Sequence, residues 1–597
     1  MVGAPRTAAS AGPAPVDVVF VAEVRAALAG QVRSILDEAA GDRWRGLQHR
    51  ALAGRILALV AAWRDPDSSA PLEHAVALAV RLRELQGPSG LFAGGDNVDS
   101  PPDSAFSIND LADALLLLRG ADRAGDGAAR RLTGLLDELL GDATPALIRG
   151  GVHTPNHRWE LAAALARLHR LAPEPALAAR IDQWLAEGVD IDEDGLYSER
   201  SANYAAYVSN PSLLTIAEVV GRPELVYAVE RNLDATLDLL LPDGTVETVL
   251  SRRQDQHRPR PLAGYLLPLR RLALLRGRGD LAWAAGLALA QGVGMPAAAA
   301  AGILLDPGIA RTLPAPVPPV RPRRRVFGGA RLVVDHRPET TTVVFGGYDY
   351  PRHGRIRSGL ANSPTFLRLF AGAAVLESVR LSRTFFGWGP FRSDRLAVEP
   401  GPALEATVTL AEAVSAAYYQ PLAPADREAR GRYRLGDDGR FSAAMDFDRR
   451  PRDEVTLTTT IGVRLTPAGA ELTVDVSGAA VDWALELAFR DGGTMTGARP
   501  LGGQRWQLDT FPSSPGTAAN VCYKVGIDAL TVTVVEATDG RGGPLPAAAE
   551  DPAYHPGEDY EFLGGTDAVA GERLYVSGRA PGRIRIDISA SSPPLGS

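Results

Sequence analysis

The run DPGIARTLPAPVPPVRPRRR, residues 306–325, separates two halves of different character. Its six prolines lack backbone N–H groups and fix φ, so the run is neither a helix interior nor a central strand. It reads as an interdomain linker. The other reading is an extended segment laid over the domain before it. The chain changes texture across this run.

Upstream the pattern is helical. VVFVAEVRAALAGQVRSILDEAA (18–40) and GLQHRALAGRILALVAAWRD (46–65) repeat apolar residues at i, i+3, i+4 and i+7. Similar stretches follow to about residue 305, separated by Gly, Pro and Asp clusters. Ser107 to Asp110 is expected to form a capping box, and Thr154-Pro155 a helix start. About a dozen helices in hairpin succession, with no strict repeat, predict an all-α solenoid or a closed helical toroid.

Downstream, pieces such as TTTVVFGGYDY, VTLTTTIGVRLTP, AELTVDVSG and RIRIDIS are short, β-branched and partly alternating. They predict a large antiparallel β-sandwich. The expected divisions are a disordered tail over 1–16, a helical domain over 17–305, the linker over 306–325 and the sandwich over 326–597.

Composition narrows the function classes. The chain has 597 residues, 45% hydrophobic and 22% charged, which is globular and long enough for two or three domains. No apolar run reaches the ~20 residues of a membrane helix. The opening MVGAPRTAASAGPAPVD carries no signal-peptide core, so a cytoplasmic location is expected, or secretion if a signal has been removed. The single cysteine, Cys522, excludes an internal disulfide framework and a Cys-rich zinc site. A net charge of -8 argues against a nucleic-acid polycation. The basic side chains are arginine apart from Lys524, which favours planar contacts to carboxylates.

Four places carry candidate chemistry. In GGVHTPNHRWELAAALARLHRL (150–171), Asn156 and His157 fall in the first helical turn, where unpaired N–H groups favour anions. The bland reading is that they only complete a helix start. In DEDGLYSERSANYAAYVSNPSLL (192–214), Glu199, Arg200, Asn203, Tyr204 and Tyr207 make a polar helix entrance. Tyr204 suits a general base or acid beside a cation; the bland reading is a packed ring with a wet hydroxyl. Asp192, Glu193 and Asp194 lack the spacing of a calcium loop. The loop GGDNVDSPPDSAFSIND (94–110) holds Asn97, Asp99 and Asp103 and could bind or merely connect. GGYDYPRHGRIRSGLANSPTFLRL (346–369) clusters Tyr348, Tyr350, His353, Arg355 and Arg357, a composition that binds sugars or anions or forms an exposed turn. His257 and His336 are further candidates. There is no P-loop, dinucleotide fingerprint, H-E-x-x-H or G-x-S-x-G.

These motifs, in this order, resemble the heparinase II/III-like polysaccharide lyases. The matching features are Asn156-His157 opening a helix, DGLYSERSANYAAY (194–207), PDGTVETVLSRRQDQ (242–256) and the strand region NSPTFLRLFAGAAVLESV (362–379). The resemblance implies an N-terminal (α/α) toroid followed by a C-terminal antiparallel β-sandwich. It also implies a carbon–oxygen lyase that cleaves the bond next to a uronic acid by β-elimination and leaves an unsaturated uronide. On that analogy Asn156 holds the sugar carboxylate and His157 assists it or acts as base. Tyr204 is base or acid at the departing oxygen, and His353 completes the cleft from the second domain. Arg200, Asn203, Tyr207, Glu199, Asp103, Tyr350 and Arg355 bind neighbouring sugars. No organic cofactor is implied; a divalent metal in the β-domain is allowed. The expected partner is a uronic-acid glycan or oligosaccharide, with neither nucleic acid nor membrane.

Two other classes fit the residues. A glycoside hydrolase on the toroid needs two facing carboxylates, which Asp103 with Glu199, or Asp194 with Glu199, could supply. A non-catalytic carbohydrate-binding protein needs none.

Overall fold

The computed structural model describes residues 15–65, 72–121, 126–257, 259–349, 359–393, 395–402, 405–508, 520–539, 541–548, 554 and 570–591. They group into two compact units: up to Leu237 together with Pro261–Pro319, and Asp238–Arg260 together with Val320 onward.

The first unit is helical. Its helices are α1 (Val18–Ala39), α2 (His49–Arg64), α3 (Leu72–Leu85), α4 (Pro101–Arg119), α5 (Gly127–Arg149), α6 (Pro155–Leu171), α7 (Pro175–Leu185), α8 (Ala202–Tyr204), α9 (Asn210–Val220), α10 (Pro223–Asp238, its last residue across the boundary), α11 (Leu266–Arg276), α12 (Gly279–Ala290) and α13 (Pro296–Leu305). Two burial patterns sort them. Helix α1 buries one stripe, Phe20, Val24, Leu28, Val32 and Ile35, as expected of a helix with a wet face. Helices α2, α4 and α6 are buried nearly all round. They form an inner layer in which α2 packs on α4, α4 on α6, α6 on α9 and α9 on α11. Helix α13 returns against α2 and α1, which closes the succession into an (α/α) toroid rather than an open solenoid.

A buried arginine stabilises that closure. Asp17 caps α1 by accepting from the Phe20 N–H at 3.1 Å. It also accepts from Arg270 of α11 at 2.9 Å. The Arg270 guanidinium stacks 3.7 Å above Phe20 and donates to the carbonyls of Ile309 and Arg311.

The second unit is a sandwich of two sheets. The nine-stranded sheet runs in the spatial order Arg499–Gly502, Arg505–Gln507, Arg573–Arg579, Asp482–Phe489, Ala374–Arg383, Leu367–Ala371, Thr341–Phe345, Leu332–His336, Arg323–Phe327. The eight-stranded sheet runs Thr494–Thr496, Asn520–Val525, Asp528–Thr538, Gly582–Ser591, Gly469–Gly478, Arg452–Thr466, Ala406–Tyr419, Arg395–Pro400. Pairing is antiparallel except where Arg505–Gln507 runs parallel to Arg573–Arg579. Leu367, Leu376, Leu485 and Leu487 from the first sheet meet Leu410, Ile461, Leu472 and Ile586 from the second in one core.

The strand Arg452–Thr466 alternates buried and partly exposed residues, as one covered face demands. Leu332–His336, Thr341–Phe345 and Leu367–Ala371 are buried throughout. Part of their second face lies under Asp238–Arg260. His336 Nε2 bonds the Asp238 carbonyl at 3.0 Å, and Arg252 makes a two-pronged pair with Asp349 at 2.8 and 2.9 Å. Gln256 accepts from the Asn362 N–H at 2.8 Å.

The structure decides three sequence expectations. Residues 238–260 group with the strands, not with the helical half, and their polar side chains find partners in the loops beside those strands. Of the two readings of the Pro-rich run, residues 306–319 take the second, an extended segment along the helical unit: the Thr312 N–H donates to the Pro15 carbonyl at 2.8 Å and the Val317 N–H to the Gly279 carbonyl at 2.9 Å. Helix α4 begins at Pro101, not near Ser107. Ser100 is its cap, accepting from the Asp103 N–H at 3.2 Å, and Ser107 lies buried inside the helix.

Candidate functional site

Helix α6 starts at Pro155 behind Thr154, so Asn156 and His157 stand in its first turn. Asn156 is 2% exposed. Its Nδ2 donates to Glu199 Oε2 at 2.6 Å and lies 3.3 Å from Thr154 Oγ1. Its Oδ1 is buried without a hydrogen-bond partner among the described residues. His157 is buried, with the ring of His153 at 4.7 Å and that of Phe106 at 6.2 Å, both edge-on.

Glu199 is delivered by a tightly turned loop. Asp192 Oδ1 accepts from the N–H groups of Asp194 and Leu196 at 3.0 and 2.9 Å. Gly195 follows with φ +86°, pressed against the Arg231 carbonyl. Arg200 takes the left-handed conformation at φ 52°, unusual for a residue with a side chain. Ser201 then caps α8, accepting from the Tyr204 N–H at 3.1 Å.

A π-turn over Ala205–Ser209 joins α8 to α9. Such turns shift the register of a helix face and recur at functional sites. Asn203 and Tyr204 are half-buried here. Tyr207, 37% exposed, faces the other way. Its ring covers Gly264 and Gly294, where a Cβ would come within 2.8 Å of the Tyr207 Cζ and 3.2 Å of its hydroxyl.

Asp103 is buried in the first turn of α4. It accepts from Ser100 Oγ at 2.6 Å and Asn97 Nδ2 at 2.9 Å, and it pairs with Arg50 of α2. The Arg50 guanidinium lies 3.9 Å from the Phe106 ring centroid. Burial pulls Arg50 below its ordinary range, against the fields of Glu160 and Tyr204. Beside it, burial and then the Arg50 charge hold the His49 imidazole down to about 4, so it is neutral at pH 7. That ring stacks on Phe92 at 4.9 Å and bonds Ser107 Oγ at 2.8 Å.

Further along the inner helices runs a polar network. Glu160 accepts from Asn109 Nδ2 at 2.7 Å, and Arg167 pairs with Asp113 at 2.8 Å and donates to Asn109 Oδ1 at 3.0 Å. Burial raises the Glu160 carboxyl. Asp110 is pushed up to about 7 by burial and by the charges of Asp113 and Glu160, against Arg167.

The structure therefore brings Asn156 to Glu199, and sets Tyr204 within the field of the Arg50 that Asp103 holds. Arg200 and Asn203 flank Glu199 and Tyr204 on the same turn. His353, Tyr350, Arg355 and Arg357 lie outside the described residues. Tyr348 is fully buried, donating to the Thr365 carbonyl at 3.0 Å. His336 uses both ring nitrogens, toward Thr341 and the Asp238 carbonyl.

No group of three or more His, Cys, Asp or Glu placed to hold a metal occurs among the described residues. No described helix is long and apolar enough to cross a membrane. The sequence did not single out Arg50, Asn109, Glu160 and Arg167, and it marked Asp110 only as a capping-box residue. The available signal was weak: each is a polar residue on a helix whose other faces are apolar.

No family model matches the chain, and no curated protein matches it significantly in sequence. Solved structures do. A heparinase III gene product aligns over 91% of this chain and 77% of its own, with TM-score 0.52 and 11% identity. A heparan sulfate lyase from Pedobacter heparinus aligns over 92% and 76%, with TM-score 0.48 and 10% identity. A chondroitin AC lyase from Streptomyces coelicolor aligns over 98% and 79%, with TM-score 0.47 and 14% identity. The chain has the fold of heparinase III, a helical toroid followed by an antiparallel β-sandwich.

Proposed function

We propose that the protein is a polysaccharide or oligosaccharide lyase that cleaves the glycosidic bond next to a uronic acid by β-elimination. The observation that carries this is the Asn156–Glu199 contact at 2.6 Å on the turn that also presents Tyr204. The resemblance at Asn156, His157 and DGLYSERSANYAAY points the same way.

The chemistry sets clear demands. The proton beside a carboxylate is weakly acidic until the carboxylate charge is neutralised. Asn156, buried in the first turn of α6 and bonded to Glu199, places an amide and the N–H groups of the helix start where a sugar carboxylate would lie, and these offset its charge. The N–H groups at the start of α6 stabilise the negative charge that develops as the proton leaves. Tyr204 takes the ring proton or returns one to the departing oxygen, and His157, buried beside Asn156, is the other candidate base. No redox step is involved, because elimination moves one proton and breaks one C–O bond.

A hydrolase reading fits less well. Asp103 is committed to Arg50, Asn97 and Ser100, and Glu199 to Asn156. An inverting or retaining hydrolase needs one of its two carboxyls available to protonate the leaving oxygen. Incubation with a panel of uronic-acid glycans is expected to raise near-ultraviolet absorbance as the unsaturated product forms. Asn156→Ala and Tyr204→Phe should each lower that rate by about 10²-fold or more, the usual scale for lost acid–base or electrostatic help. New reducing ends without absorbance would show hydrolysis. Saturable binding without either product would show a binding protein.

A further inference from the structure

The helical unit holds a cavity of about 170 Å³ among α9, α11 and α13. Most of its wall is apolar: Leu214 from α9, Leu266 and Leu267 from α11, Ala298 and Leu305 from α13, and Met295 just before α13. Gly302 of α13 widens it. A Cβ there would meet only Leu267 and Ile309, both at an ordinary 3.9 Å, so the backbone leaves room for a side chain that the sequence does not supply. Apolar cavities of about this size, ~150 Å³, exclude water and take up small apolar molecules.

One end of the cavity is charged. Arg170 from α6 and Arg271 from α11 converge on Glu218 of α9. Each guanidinium gives one nitrogen to a different Glu218 oxygen, Arg170 at 2.5 Å. Neither makes a further hydrogen bond among the described residues. Against burial, the two guanidinium groups hold the Glu218 carboxyl below its ordinary range, so it is ionised. Two cations thus share one anion, and most of their N–H donors are left for another acceptor. The other lining charges are arranged differently. Arg167 is matched by Asp113 at 2.8 Å. Asp306 accepts from the Gly308 N–H at 3.0 Å. A wider groove shares Glu218, Arg271 and Asp306 with the cavity; it adds Arg311 and the Glu230-paired Arg276, and no further acid.

This place is separate from the candidate catalytic turn. Asn156 stands in the first turn of α6 and Arg170 in its last, about 20 Å away along the helix axis. A sugar does not suit the wall, because its hydroxyls would find no partners along the apolar sides.

We propose that the cavity binds a small organic anion, with a carboxylate head on Arg170 and Arg271 and an apolar body of benzene-like size among Leu214, Leu267 and Met295. Paired guanidinium forks suit a carboxylate through charge-assisted hydrogen bonds. The proposal does not rest on the lyase reading.

The test is isothermal titration calorimetry of the full-length chain with three probes of equal length: hexanoate, 1-hexanol and hexylammonium. Hexanoate is expected to bind saturably, one per chain, at least tenfold more tightly than 1-hexanol, and hexylammonium not at all. Arg271→Met should weaken hexanoate at least tenfold and leave 1-hexanol within threefold, since Glu218 keeps Arg170 as its partner. Gly302→Leu should abolish binding of both while raising the thermal midpoint, because it fills the cavity and removes a glycine from a helix interior.

Absence of saturable hexanoate binding to the wild type would overturn the proposal. So would parity of hexanoate with 1-hexanol, binding of hexylammonium, or unchanged hexanoate affinity in Gly302→Leu. If Gly302→Leu does not fold, Ala298→Met narrows the same wall, and its loss or retention of hexanoate decides in the same way. Uronate elimination is not the readout, so failure of the lyase reading and failure of this proposal are seen separately.

Discussion

At the scale of single residues, buried charge is the main theme of the helical unit. Asp110 lies among Asp113, Glu160 and Arg167, and its carboxyl is pushed up to about 7, first by burial. Its folded value exceeds its unfolded value, so the folded state binds the extra proton. The stabilisation from this group is complete below the unfolded carboxylate range and is lost as pH rises through about 7. Asp110→Asn mimics the protonated form permanently. Its advantage over wild type in urea midpoint should therefore widen with pH, by about 2–3 kcal/mol between pH 5 and pH 8. A constant difference across that range would mean that Asp110 is ionised in the native protein. His49 works in the opposite sense: held down to about 4 by burial, it destabilises the fold as pH falls from about 6.5 toward 4.

At the scale of elements, the loop between α7 and α8 is short on regular structure and rich in constraint. Its path is set by the Asp192 turn, by Gly195 against the Arg231 carbonyl, and by the left-handed Arg200. These place Glu199 on Asn156. A side chain at 195 would demand φ > 0 and also displace α10. Gly195→Ala should cost about 1–3 kcal/mol of stability. Because the displacement falls on the loop that carries Glu199, turnover of a uronate glycan should drop by more than the thermal midpoint alone explains. Wild-type turnover in a destabilised Gly195→Ala protein would show that the loop does not position the site. Helix α4 makes a related point. Its cap, Ser100, precedes two prolines, and the serine-to-aspartate pattern at Ser107 lies seven residues inside the helix. Two local signals competed, and the prolines at the start of the helix, with Asp103 buried beside the cap, decided where it begins.

At the scale of the whole chain, the helical unit depends on its ends meeting. Asp17 near the start reaches Arg270, which is 1% exposed and also holds the carbonyls of Ile309 and Arg311. Asp17→Ala removes a helix cap and leaves a buried guanidinium short of its counter-charge. The loss should be about 2–4 kcal/mol, read as a lower thermal midpoint of the helical unit, with the sandwich transition unmoved. Arg270→Met, which removes the charge instead of orphaning it, should cost less than Asp17→Ala, as replacement of a buried ion by an apolar chain of similar length usually does.

Two architectures and their order are legible without the fold, because hydrophobic period is a local property: 3.6 residues up to about 305 and near 2 beyond about 325. Asn156, Glu199 and Tyr204 are legible as candidates for the same reason, since they sit in short motifs with marked polarity. The remaining features depend on contacts between distant segments. Closure of the ring is a contact between α13 and α2, separated by most of the unit, and no local pattern encodes it. Residues 238–260 look like a loop between helices, yet Glu247, Arg252 and Gln256 find partners in Arg368, Asp349 and Asn362 of the strand-rich unit. Arg50 reads as one arginine among many. Only the fold brings Asp103 and Phe106 against it. A lone polar residue on a helix becomes a site when packing removes its water and supplies its partners, and both depend on chain segments far away in sequence.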